Sequence, residues 1–355
     1  MQSLSPRYCV PANVSRFFEN HSDAVDQPLG KIHSVWNQKD EIVVNQEYDV
    51  NLIKYDSHYC TSVSAIGATY SIPTLAHIGQ VLHFVKKSPV VIDIGCGQGE
   101  FVFELRSRGI DALGFDPVVR SFSPFLHPKY WETSDKTGDL YVMRCVLPHI
   151  QNPWQFLGQI ADCNPDALVL IEFQRVEWIL EQRIWYQVSH DHVNLFSIND
   201  FRKRYRVVDS GTFSNGEWGW VLINPSDSKK PEVGAAIPET YIESFKELFI
   251  EKEAFLSGLM NLDRPIPMWG AAGKGIVLSH ACIKLQNQFL AIDADSQRWG
   301  FFLEASGAKV FSPAAVANLA KETLILICNP NHFEEVEKFI GDKFEVKIPG
   351  EVRFE

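Results

Sequence analysis

The chain has 355 residues, enough for two domains, and its 45% hydrophobic and 22% charged residues can build sizeable cores. A formal net charge of -11 argues against a nucleic-acid partner, because phosphate binding needs a basic face and none stands out. The longest apolar runs, such as ALVLIEF at 167–173, are strand-sized and far short of a membrane span.

The first residues, MQSLSPRYCV, show no basic region followed by an apolar run, so no secretory signal is read and a cytoplasmic location is expected. Residues 1–70 carry few periodic signals and read as an irregular N-terminal region. A helical stretch, IPTLAHIGQVLHFVKK, opens the first α/β domain, which is assigned to 71–225. Strands are expected at 90–95, 112–116, 140–147 and 167–173, with helices between at 99–109 and 152–163. Strands joined by helix-sized crossovers imply a parallel sheet covered on both faces.

The domain ends differently. YRVVDSGTF and WGWVLINP flank SNGE, and the Asn215-Gly216 pair is a hairpin signal. A linker and an amphipathic helix near 239–261 fill 226–262. A second α/β unit spans 263–355, with strands at FLAIDAD, AKVFSP and LILICNP after the glycine-rich IPMWGAAGKG. Asp93 to Asp116 is 23 positions, as is Gly270 to Asp293. Each half thus runs from a strand and glycine turn to an acidic residue that ends the next strand. The seven cysteines are scattered without a Cys-x-x-Cys, so neither a disulfide framework nor a zinc ribbon is expected.

VVIDIGCGQGEF places Gly95, Gly97 and Gly99 in a strand-to-helix turn behind Asp93. Glycines let the backbone turn sharply and let a ligand approach the amides closely. A dinucleotide turn would need its third glycine at position 100, which is Glu100, ill-suited to a pyrophosphate. Asp-x-Gly-x-Gly-x-Gly instead resembles the S-adenosylmethionine loop of class I methyltransferases, whose cofactor carries no phosphate. That resemblance implies a Rossmann-like sheet with an antiparallel closing hairpin, while the second glycine turn and its strands read as a second, C-terminal Rossmann-like domain. The resemblance also implies that Asp116 accepts hydrogen bonds from both ribose hydroxyls. A hydride-transferring Rossmann enzyme is the competing reading.

From about residue 42 onward the chain resembles a narrower family, the sugar C-methyltransferases that act on nucleotide-linked deoxysugars. The resemblance lies in the tyrosine-rich VVNQEYDVNLIKYDSHYCTSVS, in RCVLPHIQNPWQFL with His149, in SHDHVNLF at 189–196, and in PMWGAAGKG. The chain departs from the family in lacking paired Cys-x-x-Cys motifs, in Asp191 for a glutamate, and in Pro148 before His149.

Methyl transfer from a sulfonium is an in-line displacement, to which a protein contributes alignment, exclusion of water and a base. His192 is the expected base, since imidazole titrates near neutrality. In the resembling family the matching histidine assists deprotonation beside a keto group. His149 follows a strand directly and should project over the sheet's carboxyl end. In an extended segment His190 and His192 would share one face, with Asp191 opposite. Two histidines on one strand lack further ligands here, so no metal site is expected.

Tyr59, in SHYCTSVS, resembles a tyrosine of that family that approaches the acceptor, and a packed aromatic is the alternative. Gly270, Gly273, Lys274 and Gly275 either bind a phosphate, with Lys274 as the point charge, or form a packing turn between domains. The favoured expectation is C-methylation of a nucleotide-linked keto-deoxysugar, a small-molecule acceptor lying between the domains. O- or N-methylation of another small molecule or peptide is the alternative, and a non-catalytic cofactor- or nucleotide-binding protein the third.

Overall fold

The computed structural model describes residues 1–56, 58–59, 78–79, 81–85, 88–120, 122–229, 237–259, 266–282 and 289–352. The N-terminal region is not irregular. It holds short strands β1 (Gln2–Ser3), β2 (Tyr8–Pro11), β3 (Phe17–Phe18), β4 (Leu29–Ile32), β5 (Ser34–Asn37) and β6 (Ile42–Asn45). Strands of two to four residues are too short to show an alternating pattern, which is why the sequence reads as featureless there.

The first domain is built on β7 (Val90–Ile94), β8 (Asp111–Phe115), β9 (Leu126–His127), β10 (Leu140–Arg144), β11 (Leu168–Gln174), β13 (Tyr205–Phe213) and β14 (Trp218–Ser228). Their order is β13-β14-β11-β10-β7-β8-β9. β7 to β11 pair in parallel, and β14 joins β11 antiparallel, paired in turn with β13. The closing hairpin turns at Ser214, Asn215 and Gly216, all with positive φ. The architecture is the class I methyltransferase sheet with its antiparallel closing hairpin, as the motifs implied.

Strict alternation along these strands feeds two cores. Ile92, Ile94, Tyr141, Met143, Val169 and Ile171 face one side. Val91, Leu140, Val142, Leu168 and Leu170 face the other, against Phe101 and Leu105 of helix Glu100–Ser107. A strand buried on both faces needs such a continuous apolar run, and this made β7, β10 and β11 legible.

A two-residue strand, β12 (Asn194–Leu195), leaves the first domain to pair with β6, with Asn194 opposite Val44 and Leu195 opposite Val43. The second domain is a five-stranded parallel sheet, β18 (Val310–Phe311), β16 (Phe289–Ile292), β15 (Ile266–Trp269), β19 (Leu324–Ile327) and β20 (Glu345–Lys347), in that order. The short β17 (Phe302–Leu303) pairs with β3. One continuous core joins Leu4, Phe17 and Trp36 of the N-terminal region to Trp178 and Tyr186, to Phe245 of helix Glu239–Leu259, and to Met268 and Leu303. The N-terminal region is therefore packed into both α/β units.

Most of the expected helix at 72–87, and part of the linker at 226–262, lie outside the described residues. Among the described residues, no helix is long and apolar enough to cross a membrane.

Candidate functional site

The carboxyl ends of both parallel sheets open into one cavity of about 1350 Å³. A site for a single small ligand occupies roughly 300–1,000 Å³, so this cavity has room for a cofactor and an acceptor together. Gly95 and Asp116 line it from the first domain, and Trp269, Gly270 and Asp293 from the second.

At the first glycine turn the backbone requires glycine on two counts. Gly95 has φ +73°, and a Cβ there would lie 2.3 Å from Cγ2 of Val146. Gly99, at φ +90°, caps helix Glu100–Ser107, and its Cβ would meet Leu126 at 2.5 Å. The Gly97 N–H donates to Oδ2 of Asp116 at 3.0 Å, and the Val118 N–H to Oδ1 at 2.9 Å. Asp116 is thereby locked facing the cavity, and a carboxylate oxygen with one bond made keeps capacity for another. Burial raises the Asp116 carboxyl above its ordinary range, while the two backbone donors pull against that rise.

Asp93 is fully buried below the turn, and neither of its carboxylate oxygens has a hydrogen-bond partner among the described residues. Its nearest cation is Arg144, at 3.8 Å. Burial pushes its pKa up to about 7 against the pull of Arg144. A carboxyl raised on folding costs stability once pH exceeds its unfolded value near 4, and the cost grows until pH reaches about 7. Asp93→Asn should therefore gain stability over the parent chain as pH rises from 5 to 7. Parallel unfolding curves across that range would show instead that the carboxyl carries no such cost.

These features fit S-adenosylmethionine: the Asp116 carboxylate, preset toward the cavity, can accept from ribose hydroxyls.

The acceptor wall differs from the expected face-sharing of His190 and His192. Residues 190 and 191 are bends, so alternation does not apply. His190 is fully buried away from the cavity. Its Nδ1 donates to the Lys31 carbonyl at 2.9 Å, its Nε2 accepts from the Asp49 N–H at 3.2 Å, and Gly30 packs on its ring. It ties the segment to the N-terminal sheet and has no place at the acceptor.

Asp191 and His192 face the cavity, and His149 joins them from the turn after β10. The His149 Nδ1–H donates to the Asp191 carbonyl at 2.8 Å, and Ser189 Oγ donates to Asp191 Oδ1 at 2.7 Å. The His149 and His192 rings meet edge to face, centroids 4.6 Å apart. Burial, and then His149, push the His192 pKa down to about 4, with Asp191 opposing, so this ring is neutral at pH 7.

Tyr59 also lines the cavity, edge-on to Tyr55, and burial pushes its hydroxyl above the ordinary tyrosine range. Gln174 and Gln187 line it as well and lie in no motif; Trp218 opens the second strand of the hairpin, Trp269 belongs to PMWGAAGKG, and Tyr48 and Tyr55 to the tyrosine-rich segment.

The second glycine turn is committed internally. The Gly273 N–H donates to the Val14 carbonyl at 2.9 Å, and the Ala271 N–H to Asp293 Oδ2 at 2.7 Å. Lys274 Nζ is bonded to the buried Glu217 at 2.6 Å, and Asn329 and Asn331 hold the other oxygen of that carboxylate. Asp293 is bound by Arg298. The packing-turn alternative describes Gly273 and Lys274 better than a phosphate cradle does.

Residues 68–206 match the family model described as a methyltransferase domain. This segment is a methyltransferase domain. No curated protein matches the chain. Solved structures overlap it in part. A protein from Pyrococcus horikoshii is 16% identical, over 46% of this chain and 94% of its own, with a TM-score of 0.36. The 1,6-didemethyltoxoflavin-N1-methyltransferase of Burkholderia thailandensis, with its substrate and S-adenosylhomocysteine bound, is 15% identical over 48% and 80%, with a TM-score of 0.31. A SAM-dependent methyltransferase from Methanosarcina mazei is 15% identical over 43% and 98%, with a TM-score of 0.30. At such values these likenesses bear no weight on acceptor or mechanism.

Proposed function

We propose that the protein is an S-adenosylmethionine-dependent methyltransferase whose small-molecule acceptor binds between the two α/β domains. The observation that carries this is the single cavity joining the Gly95–Asp116 end to the wall of His149, Asp191 and His192. When bound, S-adenosylmethionine supplies a methyl group made electrophilic by a sulfonium. Asp116 would hold ribose hydroxyls, and Gly95 and Gly97 would let the backbone approach, while Asp93, paired with Arg144 at 3.8 Å, supports the turn from the buried side. The domains exclude water around both ligands, which strengthens every polar contact inside.

In the favoured form of the proposal the acceptor is a keto-deoxysugar methylated at carbon. His192 then takes the proton from the carbon beside the keto group, with Asp191 and His149 beside it and Tyr59 also lining the cavity. A nucleotide-linked sugar would need its phosphates met elsewhere than at Lys274, whose charge Glu217 already holds. That pairing favours a second reading, O- or N-methylation of a small molecule without phosphates.

The test is calorimetry with S-adenosylhomocysteine and with NAD, then mass spectrometry of products from nucleotide sugars and unphosphorylated metabolites. Binding of S-adenosylhomocysteine alone is expected. Binding of NAD without it would overturn the reading in favour of hydride transfer.

A further inference from the structure

His149 and the Asp191–His192 pair lie far apart in sequence, yet one ligand atom from each falls within 4.8 Å of the others. Two imidazoles and a carboxylate on a cavity wall, open on one side, are the donor set of a metal site that keeps positions for substrate. Three details of this cluster favour an ion over a bare histidine pair.

The His149 ring is pinned through Nδ1 to a backbone carbonyl, which leaves the Nε2 lone pair free. A remote-nitrogen bond of this kind is how metal-binding histidines are oriented. Asp191 is held at Oδ1 by the buried Ser189, so its direction is set as well. His192 makes no hydrogen bond among the described residues, so its ring can turn. Metal bonds of about 2.0–2.2 Å require ligand atoms about 3–3.5 Å apart. Closing to that spacing from within 4.8 Å takes a small movement of the cluster, in which His192 has no hydrogen bond to break.

We propose that His149, Asp191 and His192 bind one divalent transition-metal ion, with Zn²⁺ or Fe²⁺ as the fitting class, and that an acceptor oxygen completes its coordination. Two imidazole nitrogens disfavour Mg²⁺ and Ca²⁺, which take oxygen ligands. Only the acceptor clause rests on the methyltransferase reading. It deepens that reading by requiring an acceptor with a hydroxyl, keto or carboxylate oxygen beside the methylated atom. It also replaces the proton-taking role of His192, because the nitrogen bound to the ion cannot also take a proton.

The full chain is stripped with a chelator and titrated with Zn²⁺ alone by calorimetry. One equivalent per chain is expected, with affinity at least about tenfold weaker in both His149→Gln and His192→Gln. No saturable binding, or binding undiminished in both variants, would overturn the site. If the variants fail to fold, Co²⁺ is added to the parent chain. Visible absorption of a four- or five-coordinate ion is expected, and only the faint absorption of hydrated Co²⁺ overturns the proposal. S-adenosylhomocysteine binding is measured separately on the metal-free chain. Its absence would sink the methyltransferase reading while leaving the metal result to stand.

Discussion

Asp116→Ala is expected to weaken S-adenosylhomocysteine binding about a hundredfold or more by calorimetry. Hydrogen bonds to a charged group contribute about 1.5–3 kcal/mol each, and every 1.4 kcal/mol is a factor of ten. Two ribose hydroxyls lost to alanine therefore amount to at least two orders of magnitude. The variant also strips Gly97 and Val118 of their acceptor, and those buried N–H groups then hold the turn less firmly. Asp116→Asn separates the two contributions. Its amide oxygen can serve one backbone donor, but its NH₂ group must face the other. It should thus lose binding while unfolding closer to the parent chain than alanine does. An unchanged dissociation constant in both variants would remove Asp116 from the cofactor site.

Residues whose role follows from their own strand were legible, and residues whose role depends on distant chain were not. Asp93, Gly95 and Asp116 sit at the ends of buried apolar runs, so β7 and β8 could be placed and the turn between them read. The hairpin at Asn215-Gly216 was legible because its turn needs residues that tolerate positive φ.

The acceptor wall followed no such local rule. Alternation put His190 beside His192, but it holds only for extended chain, and bends at 190 and 191 turn Asp191 and His192 together into the cavity. The strand after them pairs with β6, some 150 residues earlier, and His190 is the bolt that fixes this pairing. His149 likewise completes the metal-ligating cluster from another part of the chain. A ligand search along the sequence therefore stops at two histidines.

Lys274→Met should destabilise the protein by about 3–5 kcal/mol in denaturant unfolding, because it leaves the buried Glu217 carboxylate without its cation. Asn329 and Asn331 still donate to one oxygen, which sets the loss toward the lower end. Lys274→Met combined with Glu217→Gln removes both charges, so the pair should cost less than the sum of its single variants. A phosphate-binding lysine would behave oppositely. Its loss would weaken binding of a diphosphate acceptor while leaving unfolding nearly unchanged, and no coupling to Glu217 would appear. The two outcomes separate a clasp between the closing hairpin and the second domain from a substrate contact. Because Glu217 follows the hairpin turn and Lys274 opens the first helix of the second domain, the clasp also bears on the cavity between them. Loss of the clasp should therefore lower acceptor turnover more than it weakens S-adenosylhomocysteine binding, since Asp116 and its turn belong to the first domain alone.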